Sequence, residues 1–328
     1  MASLASLNLQ HRRKQHLFTQ EHIDKLVDAG AAEHVKAAIP AWTGVADPGK
    51  AAEMVEARQR AAVLRHIAEV AAAFPAAGLE GVDFQFVPTH TPNAFTARVA
   101  KDDSYAIGLD YAVPNLLHTL FVAAMLAHQT GNFDFFGTGC ARLVSLFYVG
   151  QPAPGLEEDL LMLHEVYRNT PESTRAIIDG FGQSVVEFVI THELGHIALG
   201  HFLRAKAPSL STPQAGPIDV SAFDHQREFD ADAWAMEALL RVAGDDPRRL
   251  TFAAAVPFLS MTMMSFASRL HKPATDVGRL LRDTHPPEAE RAARLRALAA
   301  KQTERVPGTN ALALLVKIDR FLHDHIGH

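Results

Sequence analysis

The stretch VVEFVITHELGHIALGHFLRA, residues 185–205, sets His192, Glu193 and His196 into a run that is otherwise almost wholly aliphatic or aromatic. Val185, Val186, Phe188, Val189, Ile190, Leu194, Ile197 and Leu199 make a helix that is apolar nearly all round, and such a helix belongs in a core. Three ionisable groups there each carry a desolvation cost unless something compensates them. Any fold of this chain must therefore bury the helix and also satisfy its polar residues.

On a helix, residues four apart share a face, so His192 and His196 direct their imidazoles at one point. Glu193 projects beside that point. A divalent metal such as zinc takes a pair of this kind, and the neighbouring carboxylate can then act on a metal-bound water. With 18 histidines in the chain the spacing alone is a hypothesis, and the apolar setting is what strengthens it. The glycine between the histidines, Gly195, is expected to leave room beside the metal.

At 328 residues, 48% hydrophobic and 21% charged, the chain has the composition of an ordinary globular protein. A net charge of −6, with no basic stripe beyond HRRK near the start, gives no reason to expect a nucleic-acid partner. The single cysteine, Cys140, excludes an intrachain disulfide framework and a cysteine-based zinc ribbon, and suits a reducing, cytoplasmic compartment. No apolar run follows a basic start, so no secretory signal is expected. NLLHTLFVAAMLAH carries His118, and TFAAAVPFLSMTMMSFASRL carries Pro257 and several hydroxyls, so both are read as core helices and no transmembrane segment is expected.

Helical periodicity over residues 50–74, ending before Pro75, predicts an amphipathic helix. Thr19 is placed to cap another that ends at Gly30. VDFQFVPTHTPNAFTARVAKDDSYAIGLD, rich in Phe, Val, Thr and Tyr, predicts two or three short strands joined by hairpins. After Pro114 helices return and dominate to the end, with breaks at TGNFDFFGTG and VGQPAPG. The fold class is α+β, predominantly helical, with one small sheet.

An open catalytic zinc site needs a third protein ligand. Downstream, DHQREFDADAWAMEALL is helical in pattern, ends at Gly244 and places Glu228 and Asp232 on one face. Asp230 points away from that face and is read as a surface charge. His201 and His225 are the competing candidates.

Three separated pieces, taken in order, resemble the gluzincin metallopeptidases that include the heat-shock protease HtpX and the CAAX prenyl endopeptidases. TPNAF at residues 91–95 resembles the family's segment on an edge strand ahead of the metal helix. THELGHIALGH and EFDAD resemble its two metal-binding helices, and DTHPPEAERAARL, from Asp283, its late His-Pro-Pro segment. The resemblance implies zinc held by His192, His196 and Glu228, with Glu193 as the catalytic base. It implies Asp232 as a carboxylate that fixes a zinc-bound histidine through its other nitrogen. It also implies His285 as an oxyanion donor, Arg291 as its support or a partner of the carboxylates, and Asn93, Ala94 and Phe95 as a strand that pairs with substrate. The implied activity is hydrolysis of a peptide or protein substrate by a zinc endopeptidase.

On this reading residues 1–80 form an N-terminal helical extension and 81–328 a gluzincin-type metallopeptidase domain, with 111–190 as a long helical insertion. The absence of membrane helices and the length of that insertion depart from the family. Two alternatives stay open. One is a regulatory peptidase of the ImmA/IrrE kind that cleaves a specific protein; the other is a non-catalytic protein with a structural zinc. Glu193 counts against the second, since a closed structural site needs no base.

Overall fold

A computed structural model describes residues 48–87, 94–99, 103–110, 112–131, 133–149, 154–203, 209–212, 216–219, 225–270, 285–302, 306 and 308–326. The expected cap at Thr19 and residue Asn93 lie outside them. The described chain begins with α1 (Pro48–Ala73), the predicted amphipathic helix, which stops where Pro75 opens a 3₁₀ turn. The strands β1 (Asp83–Phe86), β2 (Ala94–Val99) and β3 (Ser104–Leu109) follow, as the aromatic and β-branched residues of this segment require.

Helices α2 (Ala112–Thr130), α3 (Phe133–Val149), α4 (Leu156–Asn169) and α5 (Glu172–Ala198) come next, and a short 3₁₀ turn (His201–Leu203) closes the last of them. The break expected at TGNFDFFGTG falls at its start, where α2 ends at Thr130 and Gly131 adopts φ +69°; the rest, through Gly137 and Gly139, belongs to α3. A hairpin of β4 (Ser209–Thr212) and β5 (Gly216–Asp219) precedes α6 (His225–Ala243), α7 (Pro247–Leu270), α8 (Glu288–Ala300) and α9 (Asn310–Ile326).

The protein is predominantly helical with a small sheet, as expected. The sheet is nevertheless larger than the sequence suggests, because β4 and β5 extend it to the order β1-β3-β2-β5-β4. β3 pairs in parallel with β1 and antiparallel with β2 over all six residues of each. Among the described residues β2 pairs with β5 at Arg98 and Asp219. The strand expected at an edge is therefore the third of five.

Two long helices organise the core. α7 is long and apolar enough to cross a membrane by length and composition, but 94% of its most apolar window is buried inside the protein. It packs against α5, α6, α8 and α9, which explains an apolar surface on every side. α5 is covered by α1, α2, α6 and α7, with Phe181 stacked on Phe121 at a ring separation of 4.2 Å. Of the segment between the strands and the metal-motif helix, α2 packs on α5, while α3 and α4 pack on α2 and on each other. α1 also joins this core: Arg60 binds Asp83 at 2.9 Å, and His66 binds Thr191 at 2.8 Å.

Candidate metal centre

The site forms where α5, α6 and α8 converge below β2. Gly195 makes that convergence possible. A Cβ at this position would lie 3.1 Å from the carbonyl oxygen of Ala231 and 3.2 Å from the Trp234 ring. The glycine therefore makes room for the backbone of α6 rather than for a ligand, and α6 is the helix that carries Glu228. Glu228 stands in the first turn of α6, where the helix dipole favours a carboxylate.

His192 Nε2 and His196 Nε2 approach to 3.1 Å, and each lies 3.5 Å from one oxygen of Glu228. The three residues are buried, and their donor atoms all lie within 4.8 Å of one another. Among the described residues neither carboxylate oxygen of Glu228 has a partner with hydrogen-bond geometry, although both are shut off from solvent. Two buried carboxylate oxygens without a well-formed hydrogen bond, facing two imidazole nitrogens, are costly for a protein alone and suit a cation. With His192 neutral, as a metal ligand must be, Glu193, Glu228 and Asp232 against Arg291 leave two negative charges. These residues fit a divalent metal.

Asp232 lies one turn beyond Glu228 and stands 2.9 Å from His192 Nδ1, so it receives that proton and turns Nε2 toward the cluster. Arg291, from α8, donates to both oxygens of Asp232 at 2.7 and 2.6 Å. α8 is itself fixed by Arg296, which binds Asp319 of α9 at 2.7 and 2.9 Å, while Thr262 of α7 donates to the same carboxylate. Burial opposes ionisation of Asp232, yet Arg291 outweighs it and holds the carboxyl down at about 2. Burial likewise opposes a charge on His192, but Asp232 and Glu228 lift it to about 9. Burial and the neighbouring His192 push His196 the other way, well below the ordinary histidine value.

Glu193 is buried on the same helix, and its burial raises its pKa. Its Oε2 accepts a 2.9 Å hydrogen bond from the Thr96 hydroxyl of β2. The sequence reading did not single out Thr96, although strand alternation places it with Ala94 and Arg98 on one face. Phe95 points to the other face, where its ring closes over Gly108 of β3. Of the candidate strand residues, Ala94 shares the face of Thr96 toward the metal helix, and Phe95 packs against the sheet.

His285 Nδ1 lies 3.1 Å from Glu228 Oε2, and the side chain is 47% exposed. It therefore stands at the solvent side of the cluster. The two rivals for third ligand fall elsewhere: His225 is exposed at the start of α6, and His201 meets His196 at Nδ1, the nitrogen turned away from the cluster.

Residues 154–308 match the family described as Peptidase U49. The match spans α4 to α8 and includes His192, Glu193, His196, Glu228, Asp232, His285 and Arg291. It supports a peptidase family, though not specifically the HtpX and CAAX type that the motifs resemble, and a peptidase acts on a peptide or protein. No curated protein and no solved structure matches the chain.

Proposed function

We propose that the protein is a zinc-dependent endopeptidase of gluzincin type. His192, His196 and Glu228 would hold the metal, and the observation that carries this reading is the pair of buried Glu228 oxygens, without hydrogen bonds, set against the two Nε2 atoms. Zinc bound there supplies Lewis acidity, which lowers the pKa of a water and polarises a scissile carbonyl. Asp232, held by Arg291, keeps the Nδ1 proton on His192 and so leaves Nε2 as a ligand.

Glu193 is the general base. Burial raises its proton affinity, and Thr96 engages one carboxylate oxygen, leaving the other to take the proton of the attacking water and pass it to the leaving amine. His285, at the open side of Glu228, is assigned as the donor to the developing oxyanion, a contribution of about 2.7–4 kcal/mol where such donors have been removed. The substrate is assigned to main-chain pairing with the start of β2 at Ala94, next to Asn93, on the side away from β3 and ahead of Arg98, where β5 takes that side. Phe95 would then shape this strand through its packing on Gly108.

Zinc content and casein hydrolysis, measured on the wild type and on Glu193→Gln, test the proposal. The expected result is about one zinc in both proteins, and hydrolysis in the first only. A variant that still hydrolyses casein normally, or a wild type without zinc, overturns it.

A further inference from the structure

The chain makes a second contact to a candidate ligand that none of the roles above uses. α5 ends at Ala198 with Leu199 as its cap, and Gly200 then adopts φ +65°, a left-handed conformation that glycine accepts without strain. The reversal folds the 3₁₀ turn back beneath the helix, so that His201 Nδ1 comes to 2.8 Å from His196 Nδ1. Both side chains are buried, at 7% and 1% exposure. The turn is held from outside as well. Arg227 of α6 donates to the His201 carbonyl at 3.4 Å, and Phe202 packs edge-on against Tyr105 of β3.

Two ring nitrogens at this distance share one proton, which sits on one ring and is accepted by the other. A histidine that gives Nε2 to a metal carries its proton on Nδ1. The lone pair must then come from His201, which is fixed as the tautomer protonated at Nε2.

We infer that His201 is a positioning residue: it accepts the Nδ1 proton of His196 and so orients the second metal ligand, as Asp232 orients the first. This rests on the zinc reading above. It also makes the two arms unlike, since His192 is backed by a carboxylate neutralised by Arg291 and His196 by an imidazole. A histidine directly after a glycine at the end of the metal helix is thus a support for a ligand rather than a ligand.

The test is the zinc dissociation constant, measured by chelator competition, for wild type, His201→Asn and His201→Phe, with thermal unfolding of the metal-free proteins alongside. Asparagine keeps an acceptor oxygen on a short side chain, whereas phenylalanine keeps the ring and loses the acceptor. The expected result is that the phenylalanine variant binds zinc about 10–100-fold more weakly, the range for loss of such a partner, and that the asparagine variant stays within a few-fold of wild type. Equal affinities in all three proteins, or equal losses in both variants, overturn the inference while leaving the zinc reading intact. A wild type that takes up no zinc overturns both. Should a variant not fold, ring nitrogen shifts of the zinc-loaded wild type decide: a proton on Nε2 of His201 and none on Nδ1 is expected, and the opposite tautomer refutes the assignment.

Discussion

Arg291 grips both carboxylate oxygens of Asp232 in a buried, two-point contact, with N–O distances of 2.6 and 2.7 Å. The pair joins α8 to α6 and leaves Asp232 charged beneath His192. Replacing Arg291 with Met leaves that charge with His192 as its remaining cationic partner, and breaking a buried pair from one side costs up to about 3–5 kcal/mol. Urea unfolding of the metal-free protein measures this, and a loss below about 1 kcal/mol would show that Asp232 is held by something else. Lysine at the same position keeps the charge without the planar fork, so Arg291→Lys is expected to fall between wild type and Arg291→Met.

Thr96 offers a prediction confined to catalysis. Its hydroxyl is the hydrogen-bond donor recorded for Glu193, and Thr96→Val keeps shape while removing it. A hydrogen bond to a charged group contributes ~1.5–3 kcal/mol, so kcat/KM is expected to fall about ten- to a hundredfold with zinc content unchanged. The sign of the pH effect follows. Thr96 holds the Glu193 pKa down against burial, so its loss moves the acid limb of the rate profile to higher pH. A limb that stays in place would separate Thr96 from the base.

Part of this arrangement was legible in the sequence because it is local. His192 with His196, and Glu228 with Asp232, are four apart on continuous helices, so helix geometry alone places each pair on one face. The missed contacts are those that only the folded chain creates. Thr96 and Glu193 are 97 residues apart, and His201 reaches His196 through a left-handed turn that periodicity does not report. Nothing in the sequence pattern singled out the β4–β5 hairpin, whose Pro217 lies opposite Ser211, while β5 meets β2 further on, at Asp219. Gly195 was misread for a similar reason, because what a glycine makes room for depends on which helix arrives.

That neighbour sets the outcome of Gly195→Ala. The added methyl meets backbone at Ala231, which cannot swing away as a side chain does, so α6 must retreat by a few tenths of an ångström. Strain of ~1–3 kcal/mol is the usual cost of such overpacking. Because α6 carries Glu228, the strain is expected to appear as weaker zinc binding, by about one to two powers of ten where it falls on the loaded state. Chelator competition measures the affinity, and circular dichroism confirms that the helices persist. Undiminished affinity would mean that the two helices have slack at this crossing.

His66 provides the pH test of stability. It is 5% exposed, its Nε2 lies 2.8 Å from Thr191 Oγ1, and its Nδ1 has no hydrogen-bond partner among the described residues. The Thr191 hydroxyl already donates to the Glu187 carbonyl at 2.6 Å, so it accepts from His66 Nε2, and the ring is neutral with a bare Nδ1. Burial lowers its pKa below 6.5 despite the opposing influence of Glu187 and Glu69. The unfolded chain therefore takes up this proton first. The contribution of His66 to stability is complete above pH 6.5 and is lost as the pH falls toward the folded value. The urea midpoint of the metal-free wild type is expected to drop between about pH 7.5 and 5.5, and His66→Phe, which removes the titrating ring, is expected to flatten that drop. An equal slope in both proteins would assign the acid sensitivity to other buried groups, of which His118, also lowered by burial, is the next to replace.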